Sequence, residues 1–173
     1  MPPMRQQNCR KIDMKFLVRA IFLLLGVCLV LLDTIFAYDK SHFAELQKSK
    51  ICPECDLQVA NFQNLNLNKA NLQRAACTAA KFDNASLRGA NLRGAILIGS
   101  SFRKANLKKA DLQLAKLQDA DLKDAHLVNA NFKKANLKDA NLKGAIMLGA
   151  DFEGATWIDG SICQQGSVGT CKK

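Results

Sequence analysis

Large apolar residues recur at every fifth position through most of this chain. From Cys55 to Gln164 the spacing holds for 22 consecutive units without an insertion or deletion. The centres run Leu57, Phe62, Leu67, Leu72 and onward to Ile162. Two places before each centre sits a small residue, alanine in 18 of the 22 units. A period of five fits neither the roughly 3.6-residue turn of an α-helix nor the roughly 3.5-residue repeat of a coiled coil. A strand, with its two-residue repeat, fails equally. A chain that turns one corner per unit, always sending the same two side chains inward, satisfies the pattern. It predicts a solenoid.

A second spacing lies over the first. Phe62, Phe82 and Phe102 are 20 residues apart, and so are Phe132 and Phe152. Four units per coil would stack each set directly above itself and give a square tube of about 5.5 coils. At a strand spacing of about 4.8 Å that tube is roughly 26 Å long. Each buried leucine contributes about 1.5–3 kcal/mol, against an ordering cost of about 1–2 kcal/mol per residue. A continuous stack is therefore stable where an isolated coil is not. Gly89, Gly94, Gly144 and Gly154 end their units as turn residues.

The flanks break the pattern. Arg5, Arg10, Lys11, Lys15 and Arg19 precede the apolar run Ala20 to Leu32, which is followed by Asp33, Thr34, Ile35, Phe36 and Ala37. This reads as an export signal over residues 1–37, cleaved after Ala37, with Met14 an alternative start. The competing reading is a membrane anchor over residues 16–38. The apolar run reaches only about 20 Å, short of the roughly 30 Å of hydrocarbon, and lengthening it would bury Asp33. Residues 38–54 read as an N-terminal cap. Asp39 or Ser41 can start a helix that places Phe43, Leu46 and Lys50 on one face. Such a cap would cover the unpaired backbone of an open β-helix end. Residues 165–173 read as a loop-like tail that a cysteine folds back onto the last coil.

The unit sequence resembles that of the pentapeptide-repeat family, whose pattern is A(D/N)Lxx. Ala105-Asn106-Leu107-Lys108-Lys109 and Ala120-Asp121-Leu122-Lys123-Asp124 match it, and Asn or Asp precedes the centre in 12 of 22 units. The resemblance implies an all-β fold, a right-handed quadrilateral parallel β-helix over residues 55–164, with outward flanking residues. Cys55, Leu65, Ser100 and Gly160 depart from it at the small position. Cys77, Met147, Trp157 and Ile162 depart from it at the centre. It also implies that such tubes pair end to end through the last coil. Here Val128, Ile146, Leu148, Trp157 and Ile158 would form that homodimer contact.

Cysteine spacing bounds the chemistry. Cys52-Pro53-Glu54-Cys55 has the C-x-x-C spacing of redox and zinc sites, but no βαβ pattern surrounds it. Cys163 and Cys171 would lie at the other end of a roughly 26 Å tube, so one metal cannot reach both pairs. In an exported protein each pair would close a local disulfide. Free thiols and a thiol-redox couple at Cys52 and Cys55 are the other readings. Cys77, at a unit centre, is expected to be a buried apolar thiol.

No catalytic constellation emerges. His42 and His126 are far apart in sequence, and His126 occupies the polar position before Leu127. Asp111, Asp121 and Asp151 stand where the unit needs an acceptor for its own turn backbone. No phosphate-binding glycine loop occurs. The sequence reads as that of a non-enzyme with no cofactor and no metal.

Charge separates the classes of partner. The chain carries 25 basic and 15 acidic residues; five and two of these precede Tyr38, leaving a net +7 after cleavage. The best-understood members of the resembled family imitate duplex DNA and bind topoisomerases, which takes an acidic rod. This rod is basic, so that role is the alternative, not the first reading. One side of the tube gathers Lys69, Arg88, Lys108 and Lys109 without an acid. It would meet an acidic protein or another anionic surface. It has no aromatic platform for nucleic acid. The sequence thus predicts a rigid interaction or structural rod in the periplasm, the exterior or a thylakoid lumen. Fractionation with amino-terminal sequencing should find a mature terminus at Tyr38 outside the cytosol. A cytosolic chain that retains its first residues would refute export.

Overall fold

A computed structural model of the chain describes residues 38–173; the segment assigned to export lies outside the described residues. A single helix, α1 (Lys40–Ser49), precedes the tube. Asp39 caps it, accepting the Ser41 amide at 2.8 Å and the Ser41 hydroxyl at 2.6 Å. These bonds, the hydroxyl's foremost, hold the Asp39 carboxyl below its ordinary range. Lys50 closes the other end in the left-handed conformation. Its amide bonds to the Leu46 carbonyl at 2.9 Å.

From Ile51 onward the chain forms a right-handed parallel β-helix, each unit pairing with the unit 20 residues ahead. Asn66 pairs with Ser86, Ser86 with Asn106, Asn106 with His126, and His126 with Ile146. The sides are too short for long strands, and three backbone bonds per unit do the joining. At Leu107 they are Leu107 N–H to His126 at 2.9 Å, Lys109 N–H to Val128 at 3.0 Å and Asn106 N–H to Ala85 at 2.9 Å. Two of these amides point toward the C-terminal end and one toward the N-terminal end. Each corner closes with a bond such as Ala110 N–H to Leu107 at 3.0 Å.

The residue two after each centre has positive φ, from Glu54 at 59° to Gly154 at 69°. This is the third residue of a type II turn, where glycine is the unstrained choice. Most units put Lys, Asn, Asp or another side chain there, at about 1–2 kcal/mol each, so stacking must outweigh that strain. The Asn or Asp before each centre fastens the turn from the side. Asp111, Asp121 and Asp151 each accept the amide two residues on, all at 3.0 Å. At Ser86 and Ser101 the acceptor comes instead from the coil below: Asn68 accepts the Arg88 amide at 2.9 Å and Asp83 the Arg103 amide at 3.1 Å. Partial burial opposes ionisation of Asp83. Its bonds from Ser101, Gln63 and Arg103 outweigh that and hold its carboxyl below the ordinary range.

The four sides carry distinct inward columns. Side I holds Cys52, Leu72, Leu92, Leu112, Phe132 and Phe152, and side II Leu57, Cys77, Leu97, Leu117, Leu137 and Trp157. Side III holds Phe62, Phe82, Phe102, Leu122 and Leu142, and side IV Leu67, Leu87, Leu107, Leu127 and Met147. Nearly all are buried. The phenylalanine ladders form as the spacing predicts, with centroids 4.7 Å apart for Phe62–Phe82 and Phe82–Phe102 and 5.1 Å for Phe132–Phe152. Phe43 of α1 continues the first ladder downward, 5.2 Å from Phe62.

Two features of the frame differ from expectation. The tube begins one unit earlier than Cys55: Cys52 fills the first inward column, Pro53 and Glu54 make the first corner, and Cys55 takes the small position. It also ends one unit earlier. Ile162, expected at a centre, is 59% exposed, and Cys163 is buried in its place at 1%. Gly160, with φ of 83°, turns the chain back after Trp157. Ile162 then pairs antiparallel with Thr156, and Val168 antiparallel with Asp151. The unit count is unchanged, since one is gained at Cys52 and one lost at Ile162.

The sulfurs of Cys52 and Cys55, and of Cys163 and Cys171, are paired at disulfide distance, with Cα separations of 5.5 and 5.0 Å. The first pair spans the first corner, the second the returning tail. Replacing Phe102 with alanine should cost about 3–5 kcal/mol in urea denaturation, because the cavity would sit between two coils that cannot close independently. A loss below about 1 kcal/mol would show that the ladder does not hold the coils together.

Candidate functional site

The outward positions of side IV form the clearest charged surface. Lys69 and Lys109 occupy left-handed corner positions, both with φ of 59°. Arg88 and Lys108 stand one residue before a corner. Their backbones are fixed by Asn68 and Asn106, which accept the Arg88 amide at 2.9 Å and the Lys108 amide at 3.2 Å. Coil stacking brings all four cations onto one side, where Lys69, Arg88 and Lys109 are exposed and Lys108 is half-buried.

Cations on other sides are partly neutralised. Arg74 meets Glu54 at 3.4 Å, Arg103 meets Asp121 at 3.7 Å, and Lys133 meets Asp151 at 3.2 Å and Glu153 at 3.0 Å. Lys173 pairs with Asp159, whose carboxyl this contact holds well below its ordinary range. Among the described residues, Lys69, Arg88, Lys108 and Lys109 make no such pair.

Toward the C-terminal end, side IV becomes apolar. Val128 and Leu148 stand at equivalent outward positions of neighbouring coils, joined where Asn129 N–H meets the Leu148 carbonyl at 2.9 Å. Ile146 is 48% and Leu148 76% exposed. Trp157 and Ile158, grouped with them from sequence, belong to side II on the opposite wall. The Trp157 ring stands edge-on to Phe152 at 5.0 Å, and its amide bonds to Ser161 at 2.7 Å.

The cysteines are enclosed. Cys52 is 1% and Cys55 7% exposed, and the Cys52 sulfur lies 3.2 Å from the His42 carbonyl. Cys77 is fully buried; burial first, and the Asp56 charge second, push its thiol up to about 12. Thiolate is therefore scarce at neutral pH, and Cys77 is a packing residue. His42 joins α1 to the tube, its Nδ1 accepting the Asp56 amide at 3.1 Å. His126 sits in the paired wall of side IV. Among the described residues no group of three or more His, Cys, Asp or Glu is arranged to hold a metal, and no helix is long and apolar enough to cross a membrane. A depression of about 220 Å³ between α1 and the first coil is lined by Leu46, Gln47, Leu65, Asn66 and Leu67, none of them titratable.

Sequence reasoning missed one feature of the ends. The returning tail meets sides I and II, where Phe152 N–H bonds to Ser167 at 2.8 Å and Gly154 N–H to Cys163 at 2.9 Å. Gly169 of the tail lies against the Gly149–Ala150 corner of side IV, its amide bonding to the Ala150 carbonyl at 2.8 Å, and no tail backbone bond reaches side III. Among the described residues, the amides of Leu142, Gly144, Met147 and Gly149 and the carbonyls of Ala140 and Ala145 have no partner. No five-residue pattern could reveal this, because it depends on the path of a tail outside the pattern.

Comparison with known proteins agrees with the architecture. A family model described as pentapeptide repeats matches in 8 copies, over residues 52–89, 75–113, 85–124 and 120–156. A pentapeptide repeat protein from the thylakoid lumen of Arabidopsis thaliana is 28% identical over 60% of this chain and 68% of its own, with a TM-score of 0.45. Rfr23, from the cyanobacterium Cyanothece 51142, is 29% identical over 67% of this chain and 89% of its own, also with a TM-score of 0.45. HetL, a pentapeptide repeat protein involved in heterocyst differentiation regulation in Nostoc sp. strain PCC 7120, is 31% identical over 65% and 63%, with a TM-score of 0.31. No curated protein matches the chain. The matched segments begin at Cys52, the residue that opens the first inward column, and follow the same five-residue units to Thr156: the chain belongs to the pentapeptide-repeat family.

Proposed function

We propose that this protein is an exported, non-enzymatic rod that binds a partner through the basic surface of side IV. The observation that carries the reading is the set of four cations, Lys69, Arg88, Lys108 and Lys109, gathered on one side with no carboxylate in ion-pair reach among the described residues. Such a field speeds encounter with an acidic protein or anionic surface and weakens with salt. Imitation of duplex DNA calls for the opposite sign. A thiol-redox role needs a sulfur open to attack, and both members of the C-x-x-C pair are buried.

Export also supplies a reason for the two cysteine pairs, which in an oxidising compartment would stand as disulfides at the two ends of the tube. The protein beginning at Tyr38, denatured without reductant, should then show one reactive thiol, Cys77. Five thiols would mean that both pairs are reduced and would remove this support for export. Reversing Lys69, Arg88, Lys108 and Lys109 to glutamate should leave the circular dichroism spectrum unchanged. It should abolish the salt-sensitive capture of a partner from the exported fraction. Unchanged capture would overturn the assignment of side IV.

A further inference from the structure

Side II, the wall opposite the basic one, carries an outward pattern that complements itself. The bridges Asp56–Ala76, Ala76–Ile96 and Ile96–Lys116 set its first outward column, so the order up the wall is acid, small, large, base. The second outward column runs Gln58, Thr78, Ile98 and Gln118, joined where Val59 N–H meets the Thr78 carbonyl, Ala79 N–H that of Ile98 and Gly99 N–H that of Gln118, at 2.8–2.9 Å. Ile96 and Ile98 are half-buried, and the two middle rungs carry no charge. We propose that this wall is the contact between two copies of the chain, packed face to face with their tubes antiparallel.

A two-fold axis lying across the wall between the Ala76 and Ile96 rungs sets each column against itself with its order reversed. Ala76 then faces Ile96 of the second copy, and Thr78 faces Ile98, large over small at both rungs. Asp56 faces Lys116 at each end of that centre. Asp39 N–H bonds to the Asp56 carbonyl at 3.3 Å, which puts Asp39 one rung lower, opposite the second copy's rung of Asn136 and Lys138. Gln118 has an amide oxygen buried against its own wall with no hydrogen-bond partner among the described residues. In the pair it faces Gln58, whose side-chain amide gives one N–H to Asp56 at 3.1 Å and has a second to offer. Asp119 and Asp139 stand exposed at the corner, with φ of 58° and 60°, and stay in solvent beside the contact. Ala79 and Gly99, on the same corner, leave nothing to hold the walls apart.

Two ladders of the same repeat, about 4.8 Å, stay in register along the whole contact. The parallel arrangement fits less well. There Ile96 would meet Ile98 at one rung and Ala76 would meet Thr78 at the next, crowding beside a gap. The strip is about 24 Å tall and roughly 10 Å wide, less than the roughly 800 Å² per partner of a standard interface. The pair is therefore a weak one, formed at high concentration. Both copies keep side IV outward in it, so the two basic walls face away from each other.

The test uses the protein from Tyr38 to Lys173. Sedimentation equilibrium up to about 1 mM should find a monomer–dimer equilibrium. Amide shifts of Thr78, Ala79, Ile98 and Gly99 should move with concentration in NMR spectra. Ile96→Lys, at an outward position, should weaken the pair about tenfold or more with the circular dichroism spectrum unchanged. Gln58→Glu together with Gln118→Lys should tighten it about fivefold, since the two positions meet in antiparallel order. In parallel order the same exchange sets the new charges against Asp56 and Lys116 of like sign and weakens the pair. Three results would overturn the proposal: a monomer throughout, a dimer lost on Leu148→Lys but kept on Ile96→Lys, which would move the contact to the last coil, or weakening by the double exchange.

Discussion

Everything in this protein rests on the pairing of each backbone unit with the unit 20 residues ahead. The ladder has a direction. Each unit sends two amides and one carbonyl toward the C-terminal end and the complementary set toward the N-terminal end. In the interior these sets satisfy one another, as at Leu107, Lys109 and Asn106. The same ladder holds corner residues such as Lys104 and Leu114 in the left-handed conformation, at φ of 56° and 59°, against their intrinsic preference. Remove the next coil and both the hydrogen bonds and the reason for tolerating the strain disappear. That is why a single coil is not a folding unit and why the ends govern the character of the molecule.

The ladder also separates structure from recognition. Inward positions are restricted to Leu, Phe and a few substitutes, with Ala in the tighter places, because side chains must stack at about 4.8 Å repeats. The two residues after each centre face outward and are almost unconstrained, since backbone alone makes the rungs. Charge can then be sorted by side at little cost to the fold. Side I mixes Arg74 and Lys133 with their acidic partners, whereas Lys69, Arg88, Lys108 and Lys109 on side IV have no ion-pair partner among the described residues. A rod with a filled axis offers its surroundings only walls and ends.

The sequence made the tube legible because its period is incompatible with other regular structures, and the phenylalanine spacing made the coil size legible. Asp39, Phe43 and Leu46 could be placed in the cap because helix starts and faces have local signals. Legibility failed where the pattern and the chain path part company. Cys52 looked like part of the cap, since a C-x-x-C pair draws attention to its sulfurs and away from the five-residue step that puts Cys52 at the foot of the Leu72 column. Ile162 kept the spacing of a centre, yet the positive φ at Gly160 turned the chain back and gave the inward place to Cys163, one residue later. Trp157 and Leu148 are close in sequence and both apolar, but nine residues is about two sides of a square, so they face opposite ways. The basic cluster was visible because register carries outward residues along with inward ones.

The central claim is that the wall of side IV is where this rod meets its partner. Zero-length carbodiimide coupling joins lysine amines directly to carboxylates in contact. Applied to the protein in its exported fraction and mapped by mass spectrometry, it tests that claim most directly. The account predicts intermolecular links at Lys69, Lys108 and Lys109 that fade as salt rises. Links concentrated at Lys116, Lys133 or Lys138 on the other walls, with none on side IV, would contradict it.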